Sequence, residues 1–253
     1  MNRDQWLKTS TRNSDPGWPC PWCAKGMLRP VKDSFTSRER AESRKQHSEH
    51  YHDEESERRT FTCWFKCDGV CKEDVAISGT SGKTLVYDEG PDQELVEVIL
   101  EVCQPLIAEP MPPIFKIPKD TPANIAADLE GAFRLVWIDA GAAANRVRVA
   151  VEHLLDHLGI PATVTTAQGD QHITLHKRID LYAKKEPTHG AHLMAIKWLG
   201  NTASHEGQVS REAFIDACEI LEHTLSEILE QRSKTIAKLA EKLTKEHRPQ
   251  KQP

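Results

Sequence analysis

Five of the chain's seven cysteines, Cys20, Cys23, Cys63, Cys67 and Cys71, lie within its first 71 residues, and only Cys103 and Cys218 follow. The opening residues, Met1-Asn2-Arg3-Asp4-Gln5-Trp6, carry no apolar core of the kind a secretory signal needs. A clustered, odd-numbered thiol set without an export signal argues for metal rather than for a disulfide framework. The same observation sets an expectation of a cytoplasmic protein.

Cys20-Pro21-Trp22-Cys23-Ala24-Lys25-Gly26 has the form of a zinc knuckle. Two thiolates two residues apart can hold one ion from a tight turn, and the glycine relieves the backbone just afterwards. A tetrahedron needs a second pair. Thr60-Phe61-Thr62-Cys63-Trp64-Phe65-Lys66-Cys67 alternates like a strand and delivers Cys67; Cys71 follows after Asp68-Gly69-Val70, and Asp74-Val75-Ala76-Ile77 reads as a second strand. The expected ligands of a structural Zn2+ ion are therefore Cys20, Cys23, Cys67 and Cys71, with Cys63 spare, although Cys63 and Cys67 also have workable spacing. A closed four-cysteine site leaves no open position for chemistry. The competing reading is redox, since C-x-x-C is also a thioredoxin-type motif; that motif should open a helix, and Ala24 to Pro30 does not. His47, His50 and His52 are further candidate ligands, but they sit in a charged run and read as solvated.

Around this cluster the chain divides by composition. Residues 1–90 read as a zinc-ribbon-like β domain with a charged insertion at 32–60, which is too polar to bury a core. Gly79-Thr80-Ser81-Gly82-Lys83-Thr84 resembles the end of a phosphate-binding loop. It lacks the earlier glycine and the following helix, and is read as a hairpin turn. Residues 91–120 read as a proline-rich linker, since six of the fifteen prolines fall between Cys103 and Ala123. From 121 to 232 apolar residues recur three and four apart, which predicts five helices packed as a bundle, with a basic helical tail at 233–253. The expected fold is mainly α. No apolar run approaches the ~20 residues needed to span a bilayer. Lys+Arg of 33 against Asp+Glu of 38 gives a net charge of −5. That excludes a uniformly basic coat for nucleic acid, but not a local basic site.

Two stretches of the bundle carry polar residues that a core helix does not need. Arg148 and Glu152, four apart, can pair on one helix face, and alone they read as an ordinary ion pair. Lys197, Asn201 and His205 repeat every four residues and form one polar stripe on a continuous helix. A cation, an amide and an imidazole on one face suit a phosphate-bearing ligand. On spacing alone the stretch reads instead as a helix end, with Gly200-Asn201 as the cap.

Ile196-Lys197-Trp198-Leu199-Gly200-Asn201-Thr202-Ala203-Ser204-His205, preceded by Arg148-Val149-Ala150-Val151-Glu152, resembles the HEPN-like family catalogued as domain of unknown function 4145 (DUF4145) over residues 120 to 232. The resemblance implies a HEPN-like helical bundle, a homodimer, and a setting in antiviral defence or restriction. Many HEPN members are metal-independent ribonucleases with an Arg-x₄₋₆-His motif. Carried over, that implies His205 as general acid or base, with Asn201 in the polar position to place phosphate; Lys197, a turn earlier, or Arg148, which can pair with Glu152, would supply the cation in a catalytic form, although the motif implies neither. The arginine position itself holds Gly200. The expected function is an RNA-binding, protein-binding or regulatory module, with an endoribonuclease as the alternative. The expected partners are RNA or a partner defence protein, with no membrane.

Overall fold

The computed structural model describes residues 1–12, 14–47, 57–89, 95–167, 169–206 and 209–247. A short helix α1 (Asp4–Leu7) precedes β1 (Ser10–Thr11), β2 (Leu28–Pro30), β3 (Thr36–Glu39), α2 (Ala41–His47), β4 (Arg58–Cys67), β5 (Asp74–Glu89) and β6 (Leu95–Glu109). These strands form one antiparallel sheet in the order β1-β6-β5-β4-β2, with β3 also on β4. The strand β4 alternates as its sequence predicts: Phe61, Phe65 and Cys67 are buried, while Thr60, Thr62, Trp64 and Lys66 face solvent.

The mainly α expectation is wrong. The described residues are 46% helix and 25% strand, a mixed α/β chain with a large curled antiparallel sheet in its first half. The strands β5 and β6, 16 and 15 residues long, run straight through the segments read as a turn and as the start of a linker. Gly79 to Thr84 lies inside β5, where Gly79 and Ser81 face the buried side. At Gly79 a Cβ would collide with the Gln104 carbonyl, so only glycine lets β5 and β6 approach there. Pro105 pairs with Gly79, where the register shifts between Ser78 and Gly79. A proline, which has no amide to donate, is tolerated at such a bulge.

The second half carries α3 (Ala123–Leu135), α4 (Ala140–His157), a small hairpin of β7 (Thr163–Thr166) and β8 (Gly169–His172), then α5 (Leu175–Ala183), α6 (Pro187–Glu206), α7 (Arg211–Leu229) and α8 (Arg232–His247). The five expected bundle helices are all present. The side chains of Asp139, Thr174 and Ser210 accept hydrogen bonds from the amides of Ala142, Lys177 and Ala213, capping α4, α5 and α7. Leu154, Leu155, Ile179, Leu193, Ile196, Phe214, Leu221 and Leu225 are fully buried between the helices. Each contributes about 1.5–3 kcal/mol of apolar burial. The last helix is broken at Gln231, whose φ is +48°, so α8 leaves the bundle with no buried residue.

The two halves share one contiguous core. Trp137, in the turn after α3, packs against Trp6 at 5.9 Å and Trp18 at 5.1 Å between ring centroids, and Trp18 packs against Phe65 of the sheet at 5.5 Å. Arg3 adds ion pairs to Asp216 and Glu219 of α7. No helix among the described residues is long and apolar enough to cross a membrane.

Candidate functional site

Two turns meet at one end of the sheet. The first, Cys20 to Gly26, is closed by the amide of Ala24 donating to the Cys20 carbonyl and that of Cys20 to the Gly26 carbonyl. The second follows β4, where the amide of Cys67 donates to the carbonyl of Glu73. In each, the residue after the second cysteine is left-handed, Ala24 at φ +50° and Lys72 at φ +54°. Non-glycine residues in that region cost on the order of 1–3 kcal/mol and persist where the surroundings hold them.

The sulfur atoms of Cys20, Cys23, Cys67 and Cys71 all lie within 4.8 Å of one another, so the predicted set converges and could hold a metal ion. Cys20 stands 3.6 Å from Cys71, and Cys23 stands 3.8 Å from Cys67. All seven cysteines are free of disulfides. Cys63 is outside the cluster, on the inner face of β4, where burial pushes its thiol up to about 11.

Backbone donors favour the thiolate form in part of the site. The amide of Gly26 reaches Cys23 Sγ at 3.4 Å, and the amides of Gly26 and Lys25 pull that thiol down to about 6. Burial pushes Cys67 up to about 12 and raises Cys20. A positive ion between the sulfurs is what such thiols need to lose their protons.

Residues missed in the sequence hold the two turns together. Asp68, inside the second turn, accepts from the Met27 amide at 2.8 Å and from Arg29 Nε at 3.1 Å, and Arg29 continues to Asp15 at 2.6 Å. The Met27 amide bond, followed by Arg29, holds the Asp68 carboxyl below its usual range. The glycines interlock as well: a Cβ on Gly26 would collide with Cys67 Sγ and stand 2.7 Å from the Gly69 amide nitrogen. An acid directly after a ligand cysteine was the available signal for Asp68. The tips of the turns are open, with Trp22 77% and Val70 100% exposed.

The helical residues come together differently. The helix α6 continues through Gly200 and Asn201 to Glu206, so these two do not form a cap. Gly200 faces α4, where an added Cβ would lie 3.0 Å from Arg148 Cβ and 3.4 Å from the Ala144 carbonyl oxygen. Arg148 therefore borders the stretch that carries Lys197 and Asn201. Its guanidinium donates to Glu152 at 2.9 Å and to Asn145 at 3.2 Å. Lys197 is buried, with Nζ 3.4 Å from the centroid of the half-exposed Trp198 ring. Asn201 is half-buried. His205 lies in the last turn of α6 and its side chain is outside the described residues, as are the side chain of His47 and all of His50 and His52.

No curated protein and no solved structure matches the chain. Residues 8–107 match the family described as Domain of unknown function (DUF8608). Residues 130–245, from within α3 into the last turn of α8, match Domain of unknown function (DUF4145), the family that the Gly200 to His205 string resembles.

Proposed function

We propose that this is a zinc-stabilised, HEPN-like binding protein that contacts single-stranded RNA through α8 and acts as a regulatory rather than a catalytic module. The observation that carries this reading is the helix itself. All four of its lysines, Lys234, Lys238, Lys242 and Lys245, are spaced four, four and three residues apart and share one exposed face. At 1.5 Å of rise per residue they stand about 6 Å apart along the axis, a ladder suited to successive phosphates. The opposite face carries Ile236, Leu239 and Leu243, each about half exposed, which suits association of two copies.

The engagement of half-buried Arg148 by Glu152 at 2.9 Å and of buried Lys197 by Trp198 supports binding over catalysis, whereas the Lys242–Glu246 pair on α8 is loose, at 3.8 Å, and exposed. Zinc is the ion we assign to the four cysteines. Arms of about 2.3 Å make a tetrahedron with edges of about 3.8 Å, close to the observed 3.6 and 3.8 Å. In this reading the ion holds the sheet end together and takes no part in chemistry. A defence-associated setting rests on the family resemblance, and a cytoplasmic one on the clustered, unpaired cysteines.

Fluorescence anisotropy with a labelled single-stranded RNA tests the reading. Four phosphate contacts give a salt slope of about −3, so affinity should fall roughly 50-fold between 50 and 200 mM salt. Replacing the four lysines by glutamine should abolish binding. Binding that is absent at low salt, or unchanged in that variant, overturns the RNA assignment. Cleavage of the RNA by the wild type and not by His205→Ala would establish the ribonuclease alternative instead.

A further inference from the structure

Between the two halves lies a cavity of about 120 Å³, bounded by α1 and the residues after it, by β6, and by the start of α7. Its walls include Trp6, Trp18 and Trp137, together with Gln104, Lys8 and Arg211. No aspartate or glutamate lines it.

Two donors at this place have no acceptor. Trp6 is 2% exposed, yet its indole Nε1 has no hydrogen-bond partner, whereas the neighbouring Trp18 gives its own Nε1 proton to the Gln5 carbonyl at 2.7 Å. Arg211 Nε is likewise buried without a partner, and among the described residues Arg211 makes no ion pair. Arg211 is half-buried, and burial lowers the pKa of its guanidinium. A buried donor without an acceptor is costly. Arg211 is also the first residue of α7.

An indole N–H and a guanidinium at the wall of a space whose lining holds three tryptophans and no carboxylate call for an acceptor that carries negative charge. The volume holds roughly ten water-sized atoms, at about 10–15 Å³ each. We propose that the cavity where Trp6, Trp137 and Arg211 meet is a binding site for a small ring-bearing oxyanion, a carboxylate or a phosphate monoester. The ligand would accept hydrogen bonds from Trp6 and Arg211 and lie against the tryptophan rings. Because the walls come from both halves, occupancy would clamp the sheet to the bundle. This site is independent of α8 and of the four cysteines.

Calorimetric titration of the full, metal-loaded chain tests it, with benzoate, phenyl phosphate, inorganic phosphate and the neutral benzyl alcohol as probes. The expected result is saturable one-to-one binding of benzoate or phenyl phosphate, with a raised melting temperature and no binding of benzyl alcohol. The tighter of the two anions tells a carboxylate site from a phosphate site. Arg211→Gln and Trp6→Phe should each weaken binding by about fivefold or more, one hydrogen bond's worth. Should Arg211→Gln fail to fold, Trp6→Phe decides, since it keeps an aromatic ring against Trp18 and Trp137 while removing the indole N–H. No binding of either anion at about 10 mM, equal binding of benzyl alcohol, or wild-type affinity in Trp6→Phe overturns the proposal.

Discussion

Gly26→Ala tests whether the two cysteine turns form one metal centre. The added methyl would collide with Cys67 Sγ and lie 2.7 Å from the Gly69 nitrogen. Reaching ordinary contact at about 3.4 Å requires the turns to part by at least about 0.7 Å, several times the ~0.2 Å by which metal–ligand distances vary in a sound site. Gly69 offers no slack, because a Cβ on it would stand 3.3 Å from the same sulfur. Disturbing the support of a ligand typically costs 10–100-fold in metal affinity, about 1.4–2.7 kcal/mol. The assay is zinc content by mass spectrometry, followed by competition against a chromophoric chelator. Wild type should hold one equivalent, and Gly26→Ala should release it at correspondingly lower chelator concentration. Gly159→Ala is the control: φ is +71° but nothing lies within 4 Å of the added carbon. It should cost about 1 kcal/mol of stability and leave zinc binding untouched. Zinc well below one equivalent in wild type, or Gly26→Ala within twofold of it, would refute the reasoning.

Two further outcomes follow from the bundle. Gly200→Arg, which puts an arginine five residues before His205, should lower stability by about 1–3 kcal/mol in chemical denaturation, because its Cβ would press on Arg148 where α6 crosses α4; wild-type stability in that variant would mean the crossing is looser than described. His192 Nδ1 lies 3.0 Å from the Thr224 hydroxyl, which itself donates to the Ile220 carbonyl, so the imidazole nitrogen is the donor. Burial first, then His223 and His189, lowers the pKa of His192 from 6.5. The folded state thus prefers the neutral ring, and its contribution is present above pH 6.5 and is lost as pH falls through the lowered value. Melting temperature should drop on acidification from pH 7 to about pH 5.5, and less so in His192→Gln; equal drops would exclude His192 as the cause.

The sequence by itself determined the features that are local. The four clustered cysteines were legible because two thiolates two or three residues apart can meet at one point from a single tight turn, wherever that turn sits. The helices were legible because burying one face of a helix imposes a repeat of three and four on Leu193, Ile196, Leu221 and Leu225. The long sheet was not. In β5 the buried face passes through Gly79 and Ser81, so apolar alternation disappears, and Pro105 mimics a linker because its missing amide falls at a bulge. Tertiary structure alone decided the rest. It placed Gly200 at a helix crossing, stacked Lys197 on Trp198, and gathered Asp68 with Met27 and Trp6 with Arg211. Each of these depends on which distant surfaces meet or which way a side chain turns once packed, and residue spacing carries no record of that.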